Sequence, residues 1–284
     1  MAVGRRALVL GGGGITGIAW ETGLLAGLAQ AGVDLMSADV VVGTSAGSVV
    51  GAQILSGIPL EDLYAEQLKE AGGEIAAKMG ARAMAWFIIG SLWPGDERLG
   101  RARLGGAALR ARTLPESVRR AVIEQRLPNH SWPDRRLLIT AVDAETGEAK
   151  VFDREGDVPL PVAVAASCAV PLVWPPITIN GRHFIDGGVR SVANADLATG
   201  CDRVVVLAPI AYALRRAQRI DTQLATLGPN LKSVVISPDA QSRNAIGSNS
   251  LDPARRAVSA KAGRFQAAGA ARAVAAVWSQ HSDH

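Results

Sequence analysis

Ser45 stands in the run Val40-Val41-Val42-Gly43-Thr44-Ser45-Ala46-Gly47-Ser48. Three β-branched residues enter a turn of small residues, and an apolar, helix-length segment from Ser48 to about Leu55 leaves it. Strand, sharp turn and helix with a serine at the apex is an arrangement that exposes a nucleophilic hydroxyl, because Gly43, Ala46 and Gly47 leave nothing over it. The following helix directs its N-terminal partial positive charge at the serine, where an oxyanion would form. A Gly/Ser-rich turn between two buried elements accounts for the same pentapeptide, so on these residues alone turn and nucleophile stay open.

A serine hydroxyl is a poor nucleophile until a base takes its proton. The histidines are His130, His183, His281 and His284. The last two fall in what reads as a frayed tail, and His130 lies in a loop beside Pro128 and Pro133. His183 precedes Asp186 by three residues on an expected strand, which puts the two side chains on opposite faces, roughly 10 Å apart. A Ser–His–Asp triad is therefore disfavoured. Asp186-Gly187-Gly188 follows an apolar strand, and the glycines allow close backbone approach. An aspartate beside the serine and shielded from water can act as the base, with burial raising its low pKa. A turn without chemistry explains Asp-Gly-Gly equally well when taken alone.

Gly11-Gly12-Gly13-Gly14-Ile15-Thr16-Gly17 follows a short buried strand and precedes a helix. Gly12-x-Gly14-x-x-Gly17 matches a dinucleotide fingerprint, which leaves a nucleotide-binding oxidoreductase as an alternative. That fold needs an acidic residue at the end of the second strand, where Gly43-Thr44-Ser45 stands instead. The other reading is an oxyanion hole, in which consecutive glycines turn several N–H groups into one space.

The elements that would position these groups begin as strand (Arg5–Leu10), glycine loop, helix (Ile18–Ala31), strand (Asp39–Val42), serine turn and helix, an α/β alternation with a largely parallel sheet. The spacing then predicts an amphipathic helix from Pro59 to about Ala81 and an apolar loop from Met84 to Gly95. That loop, with Trp86, Phe87 and Trp93, reads as a packed part of a cap in preference to a lid or lipid-facing surface. A basic helical stretch from Glu97 to Arg126 restarts near Leu114-Pro115-Glu116. Strands are expected at Leu137–Val142, Ala149–Asp153, Asp202–Leu207 and Ser233–Ser237, and a hairpin over Ile177–Ile185 with its turn at Asn180-Gly181. Val162–Cys168 and Asp252–Trp278 read as helices, and Pro209–Asp221 and Asp239–Ser250 as irregular, mobile segments.

The net charge of +4 decides nothing by itself, but ten arginines fall between Arg98 and Arg136. They suit either an anionic surface such as phospholipid headgroups or a solvated helical face. Two cysteines, Cys168 and Cys201, make no disulfide framework and no metal cluster, which points to a reducing compartment. The opening apolar run is too short for a signal peptide, and the charge-free stretches Val40–Leu60 and Val158–Gly181 are rich in glycine or proline and read as core. A cytoplasmic chain, with possible peripheral membrane contact, is the expectation.

Taken together, the motifs resemble the patatin-like phospholipase family. Gly11–Gly17 is similar to its oxyanion motif, Gly43–Gly47 to its nucleophile elbow and Asp186–Gly188 to its Asp-Gly-Gly motif. Ala166–Pro171, the Pro175-Pro176 pair and the Asp143–Gly147 turn are also similar, and the resemblance covers roughly residues 5–60 and 137–208. It implies lipid acyl hydrolysis by a Ser45–Asp186 dyad without metal or nucleotide. It implies an oxyanion hole from Gly12, Gly13, Gly14 and Ala46, supported by Gly11, Gly17, Gly43, Gly47, Gly187 and Gly188. Two positions depart from the pattern: Thr16 replaces a Lys or Arg, and Asn194-Ala195-Asp196 lacks the proline of Asn-x-Pro. The expected architecture is a single α/β domain over residues 1–284, a three-layer sandwich with a largely parallel sheet. A helical cap insertion is expected at 61–136 and a C-terminal helical extension at 252–278. The expected partner is a lipid or acyl-ester substrate, with no nucleic acid; a catalytically inactive lipid-binding protein is a further alternative.

Overall fold

Alternate residues of the first strand bury opposite faces: Leu8 and Leu10 point into one hydrophobic cluster, Ala7 and Val9 into another. The computed structural model describes residues 4–70 and 74–279, apart from the side chains of Arg82, Phe87 and Ser91. His281 and His284 fall outside this range. The chain opens as β1 (Arg6–Leu10), α1 (Gly14–Gln30), β2 (Val40–Thr44) and α2 (Ala46–Ile54). It continues through α3 (Leu60–Leu68), α4 (Ala81–Ser91), α5 (Glu97–Leu109) and α6 (Glu116–Arg126). Next come β3 (Arg136–Asp143), β4 (Ala149–Phe152), α7 (Leu160–Ser167), β5 (Ile177–Ile179) and β6 (Arg182–Asp186). The remainder is β7 (Arg203–Leu207), α8 (Ile220–Ala225), β8 (Lys232–Ile236), α9 (Ala240–Ile246) and α10 (Arg256–Trp278).

The strands form one sheet in the order β5-β6-β3-β2-β1-β7-β8, with β4 also paired to β3. β1, β2, β3, β7 and β8 are parallel, while β4, β5 and β6 join antiparallel. A parallel sheet must be covered on both faces. The thicker layer contains α1, α2, α7 and α10; the thinner one is built from a 3-10 turn at Ala195–Leu197 and from α8. The mostly parallel sheet is the one expected from the alternation of elements, and its two helical faces give the three-layer arrangement that the resemblance implies. The Asn180-Gly181 turn joins β5 to β6 with φ of 50° and 77°, the two positive values that a tight hairpin needs.

Some boundaries differ from expectation. The helix expected from Pro59 to Ala81 stops at Leu68, where Lys69 turns extended, and residues 74–80 are not helical. The apolar segment expected as a loop is helix α4, and Met84, Ile88 and Ile89 on it, with Leu92 just beyond, are exposed rather than packed. The segment expected to be irregular before Ser250 contains α9, started by Asp239 Oδ1 accepting from Ser242 N–H at 2.7 Å. α10 lies tight against α1: a Cβ on Gly23 would come within 2.0 Å of the Ala260 carbonyl. Trp20 Nε1 donates to Gln266 Oε1 at 3.0 Å, and Trp278 Nε1 to the Asp34 carbonyl at 2.7 Å. Among the described residues no helix is long and apolar enough to cross a membrane, and no group of three or more His, Cys, Asp or Glu side chains is placed to hold a metal ion.

Candidate active site

Strand register carries Ser45 to Asp186. β2 pairs with β3 so that Thr44 lies opposite Thr140, and β6 pairs with β3 so that Asp186 lies opposite Ala141. The residues one step on, Ser45 and Ala141, therefore bring the serine turn and the aspartate to the same sheet edge. β1 and β2 are adjacent and parallel, with Leu10 opposite Gly43, so the glycine loop leaves the sheet beside the serine turn.

Ser45 has φ 51° and ψ −113°, a positive φ that a non-glycine residue keeps only when its surroundings enforce it. They do so from both sides. Its N–H donates to Ser167 Oγ at 2.9 Å. Its carbonyl accepts from Ser48 N–H at 2.9 Å, Ser48 Oγ at 2.6 Å and Cys168 Sγ at 3.3 Å. Gly47 locks the turn to the glycine loop: its N–H donates to the Gly11 carbonyl at 3.0 Å, and a Cβ there would lie 2.1 Å from the Leu10 carbonyl.

Of the glycines expected to supply an oxyanion hole, Gly12 gives its N–H to the Val192 carbonyl at 2.7 Å. Gly14 and Ala46 are the first residues of α1 and α2, and such N–H groups have no intrahelical acceptor. Gly13 caps α1 just before Gly14. Gly14 has φ 62°, and a Cβ on it would meet the Ser250 carbonyl at 2.6 Å. Thr16 fixes that neighbouring loop, donating to the Ser250 carbonyl from its N–H at 3.1 Å and its hydroxyl at 3.2 Å. The departure from a basic residue at this position thus replaces a charge with a contact that fixes a loop.

Asp186 is buried, and its Oδ1 accepts from Gly188 N–H at 2.7 Å. Oδ2 is buried without a well-formed hydrogen bond. Burial pushes the carboxyl up to about 6, against the opposing pull of the Ser45 hydroxyl, the Gly188 N–H and the Arg119 charge. The Ser45 hydroxyl thus favours the carboxylate form, although Oδ2 accepts no well-formed hydrogen bond. Asn194, with φ 52°, ties the loops together: Nδ2 donates to Thr44 Oγ1 at 3.0 Å and to the Ser191 carbonyl at 2.8 Å. Arg190 donates to Asn194 Oδ1 at 2.6 Å and pairs with Asp196 at 2.5 Å, so this turn is fixed without a proline.

His183 is not part of this group. Its Nδ1 lies 2.5 Å from Glu145 Oε1 at the surface. The tryptophans expected in a packed cap also lie apart from this group. Trp86 packs on the cluster of Leu104, Val142 and Ile185, and Trp93 stacks under Arg103 at 3.8 Å. The Phe87 side chain lies outside the described residues.

Ser45 instead opens on a cavity of about 20 Å³ lined by Gly14, Ala46, Arg119, Cys168, Trp174 and Leu251, among others. Ile15, Ile18 and Arg126 are shared with a larger cavity of about 390 Å³, whose wall includes Val49, Ile58, Leu63 and Val122. Arg119 and Ser167 were not singled out by sequence reasoning. Arg119 was one of ten arginines in a basic stretch, and only its spacing with Val122, Ile123 and Arg126 along α6 marks it as facing inward.

A family model described as Patatin-like phospholipase matches residues 8–199. Among solved structures, VipD from Legionella pneumophila is similar at 13% identity and a TM-score of 0.48, covering 97% of this chain and 68% of that one. The type III effector ExoU is similar at 17% identity and a TM-score of 0.42. This chain spans about half of that protein: 95% of this chain is covered and 53% of ExoU. ExoU of Pseudomonas aeruginosa in complex with SpcU matches at 17% identity and a TM-score of 0.37, covering 92% of this chain and 53% of that one.

Proposed function

This chain belongs to the patatin-like phospholipase family, and we propose that it is a lipid acyl hydrolase with Ser45 as nucleophile and Asp186 as base. Ser45 Oγ attacks the ester carbonyl while Asp186 takes its proton. The oxyanion of the tetrahedral intermediate is held by backbone N–H groups of Gly13, Gly14 and Ala46, helped by the N-terminal charge of α1 and α2. Asp186 returns the proton to the leaving alcohol as the intermediate collapses. It then deprotonates the water that attacks the acyl-enzyme, and the second collapse frees Ser45 and a fatty acid. No step needs a metal or a nucleotide.

The observation that carries the reading is the pairing of a strained, doubly anchored serine with a buried carboxyl whose Oδ2 has no other partner. The apolar wall of Ile15, Ile18, Val49, Leu63 and Val122 supports placement of an acyl chain there, with residues 61–136 acting as a cap. The exposed Met84, Ile88, Ile89 and Leu92 support contact with a lipid surface.

A panel of phospholipid, neutral-lipid and simple acyl esters, run with Ser45→Ala beside the native chain, tests this directly. Hydrolysis that disappears in the variant while its fold is retained is the expected result; undiminished hydrolysis would sink the proposal. Labelling of Ser45 by a fluorophosphonate separates an active serine from an inactive lipid-binding protein, and product analysis separates hydrolysis from acyl transfer.

A further inference from the structure

Two arginines of α6 line the cavity at Ser45, and they differ in one respect. Arg126 is paired: its Nε and Nη2 donate to the two carboxylate oxygens of Glu74 at 3.0 and 2.5 Å. Arg119 is not. Only 3% exposed, it has Nε and Nη1 buried with no hydrogen-bond partner, and its guanidinium lies over the Trp174 ring at 4.1 Å. Burial lowers its pKa to about 10, so the group stays charged at neutral pH. The nearby acidic groups, Glu74 and Asp186, act on it only through their charge. Glu74 is occupied by Arg126, and Asp186 Oδ1 by Gly188. A buried cation with vacant donors is costly unless an anion completes it. The ring beneath it fixes the plane of the guanidinium but accepts none of those N–H groups.

We propose that Arg119 recognises the phosphate of a phospholipid substrate inside the Ser45 pocket and so sets specificity; this rests on the hydrolase reading given above. A guanidinium matches oxygen-rich anions with several directed donors. In a glycerophospholipid the phosphate lies only a few bonds from the acyl ester, so a cation in the pocket of the nucleophile addresses the same molecule. The glycine loop Gly11–Gly17 contributes no basic side chain. The cavity is water-sized, and Ile15 and Ile18 line both it and the larger one, so seating a phosphate requires these side chains to move.

The test compares kcat/KM for a short-chain phosphatidylcholine and for p-nitrophenyl butyrate in the native chain, Arg119→Met and Arg119→Lys, with thermal melts as a check on folding. The expected result is a fall of about ten- to a hundred-fold in the phospholipid-to-neutral ratio for Arg119→Met, carried mainly by KM and partly restored in Arg119→Lys. An unchanged ratio, or an equal loss on both substrates, would overturn it and make Arg119 a packing residue. Inorganic phosphate is expected to compete with the neutral ester in the native chain and to lose that effect in Arg119→Met. If decanoate loses its inhibition instead, the arginine binds the product carboxylate and the phosphate assignment is wrong. If the native chain hydrolyses no ester, the hydrolase reading fails separately. Calorimetric titration with inorganic phosphate then decides on Arg119, and equal heats in native chain and Arg119→Met would overturn its role.

Discussion

Gly188 holds Asp186 by one oxygen only: its N–H meets Oδ1 at 2.7 Å, and Oδ2 stays buried without a donor. A carboxyl held this way is oriented but poorly solvated, which is why burial raises it to about 6.

Activity and stability are therefore expected to move in opposite directions with pH. Unfolded, an aspartate titrates near about 4. Folded, Asp186 titrates at about 6, so the folded state holds the proton more tightly. The stabilisation from this group is complete below about 4 and is lost as pH rises through about 6. The base is ionised over the same window, so kcat/KM should rise with pH and level off above about 6. Asp186→Asn should abolish turnover and, free of a buried charge, gain up to about 3 kcal/mol of stability at pH 7.5. A pH–rate profile with no limb near 6 would count against Asp186 as the base.

Gly14→Ala should cost activity without unfolding the chain. The added Cβ meets the Ser250 carbonyl at 2.6 Å, and alanine at φ 62° is strained. Moving the loop displaces an N–H assigned to the oxyanion, a loss of about 10²–10³ in kcat. Steady-state kinetics beside a thermal melt would check this, and a fall in KM alone would contradict it.

His183→Ala should leave kcat within about two-fold, since surface changes away from a site are nearly neutral. The imidazole is engaged by Glu145 rather than Asp186. A loss comparable to that of Asp186→Asn in the same assay would restore the triad.

Asn194→Leu should destabilise the fold by about 2–3 kcal/mol, because it leaves Thr140 Oγ1 and the Ser191 carbonyl without their buried donor and takes one of two donors from Thr44 Oγ1. Urea denaturation provides the measure. The variant should also lose activity, because the same amide fixes the residue before Ser45.

How much of this was legible beforehand depended on range. The Asp-Gly-Gly loop and the Asn180-Gly181 hairpin are local, and their residue types carry the backbone conformation with them, whereas the turn at Ser45 is legible from its small neighbours but held by the distant Ser167 and Cys168. The direction of each glycine N–H in the first loop is not local. Gly12 is occupied by Val192, far away in the chain, and nothing in a run of four glycines distinguishes it from Gly13. Arg119 was hidden for a similar reason. Its charge reads as solvated in a basic stretch, and only Trp174 and the neighbouring core residues of α6 turn it inward. The exposed face of α4 is not legible in its residues, because an apolar segment does not state whether it has a partner.

The pairing of α1 with α10 has a consequence for biosynthesis. Ser45 and Asp186 leave the ribosome well before the residues that brace the glycine loop and α1: Ser250 against Thr16, and Ala260 against Gly23. A nascent chain stopped after Asp186 carries both reactive groups and lacks the clamp that shapes the space between them. Domains fold as units once their parts are present. The glycine loop and α1 are therefore fully braced only once Ser250 and α10 have been made and have packed against them.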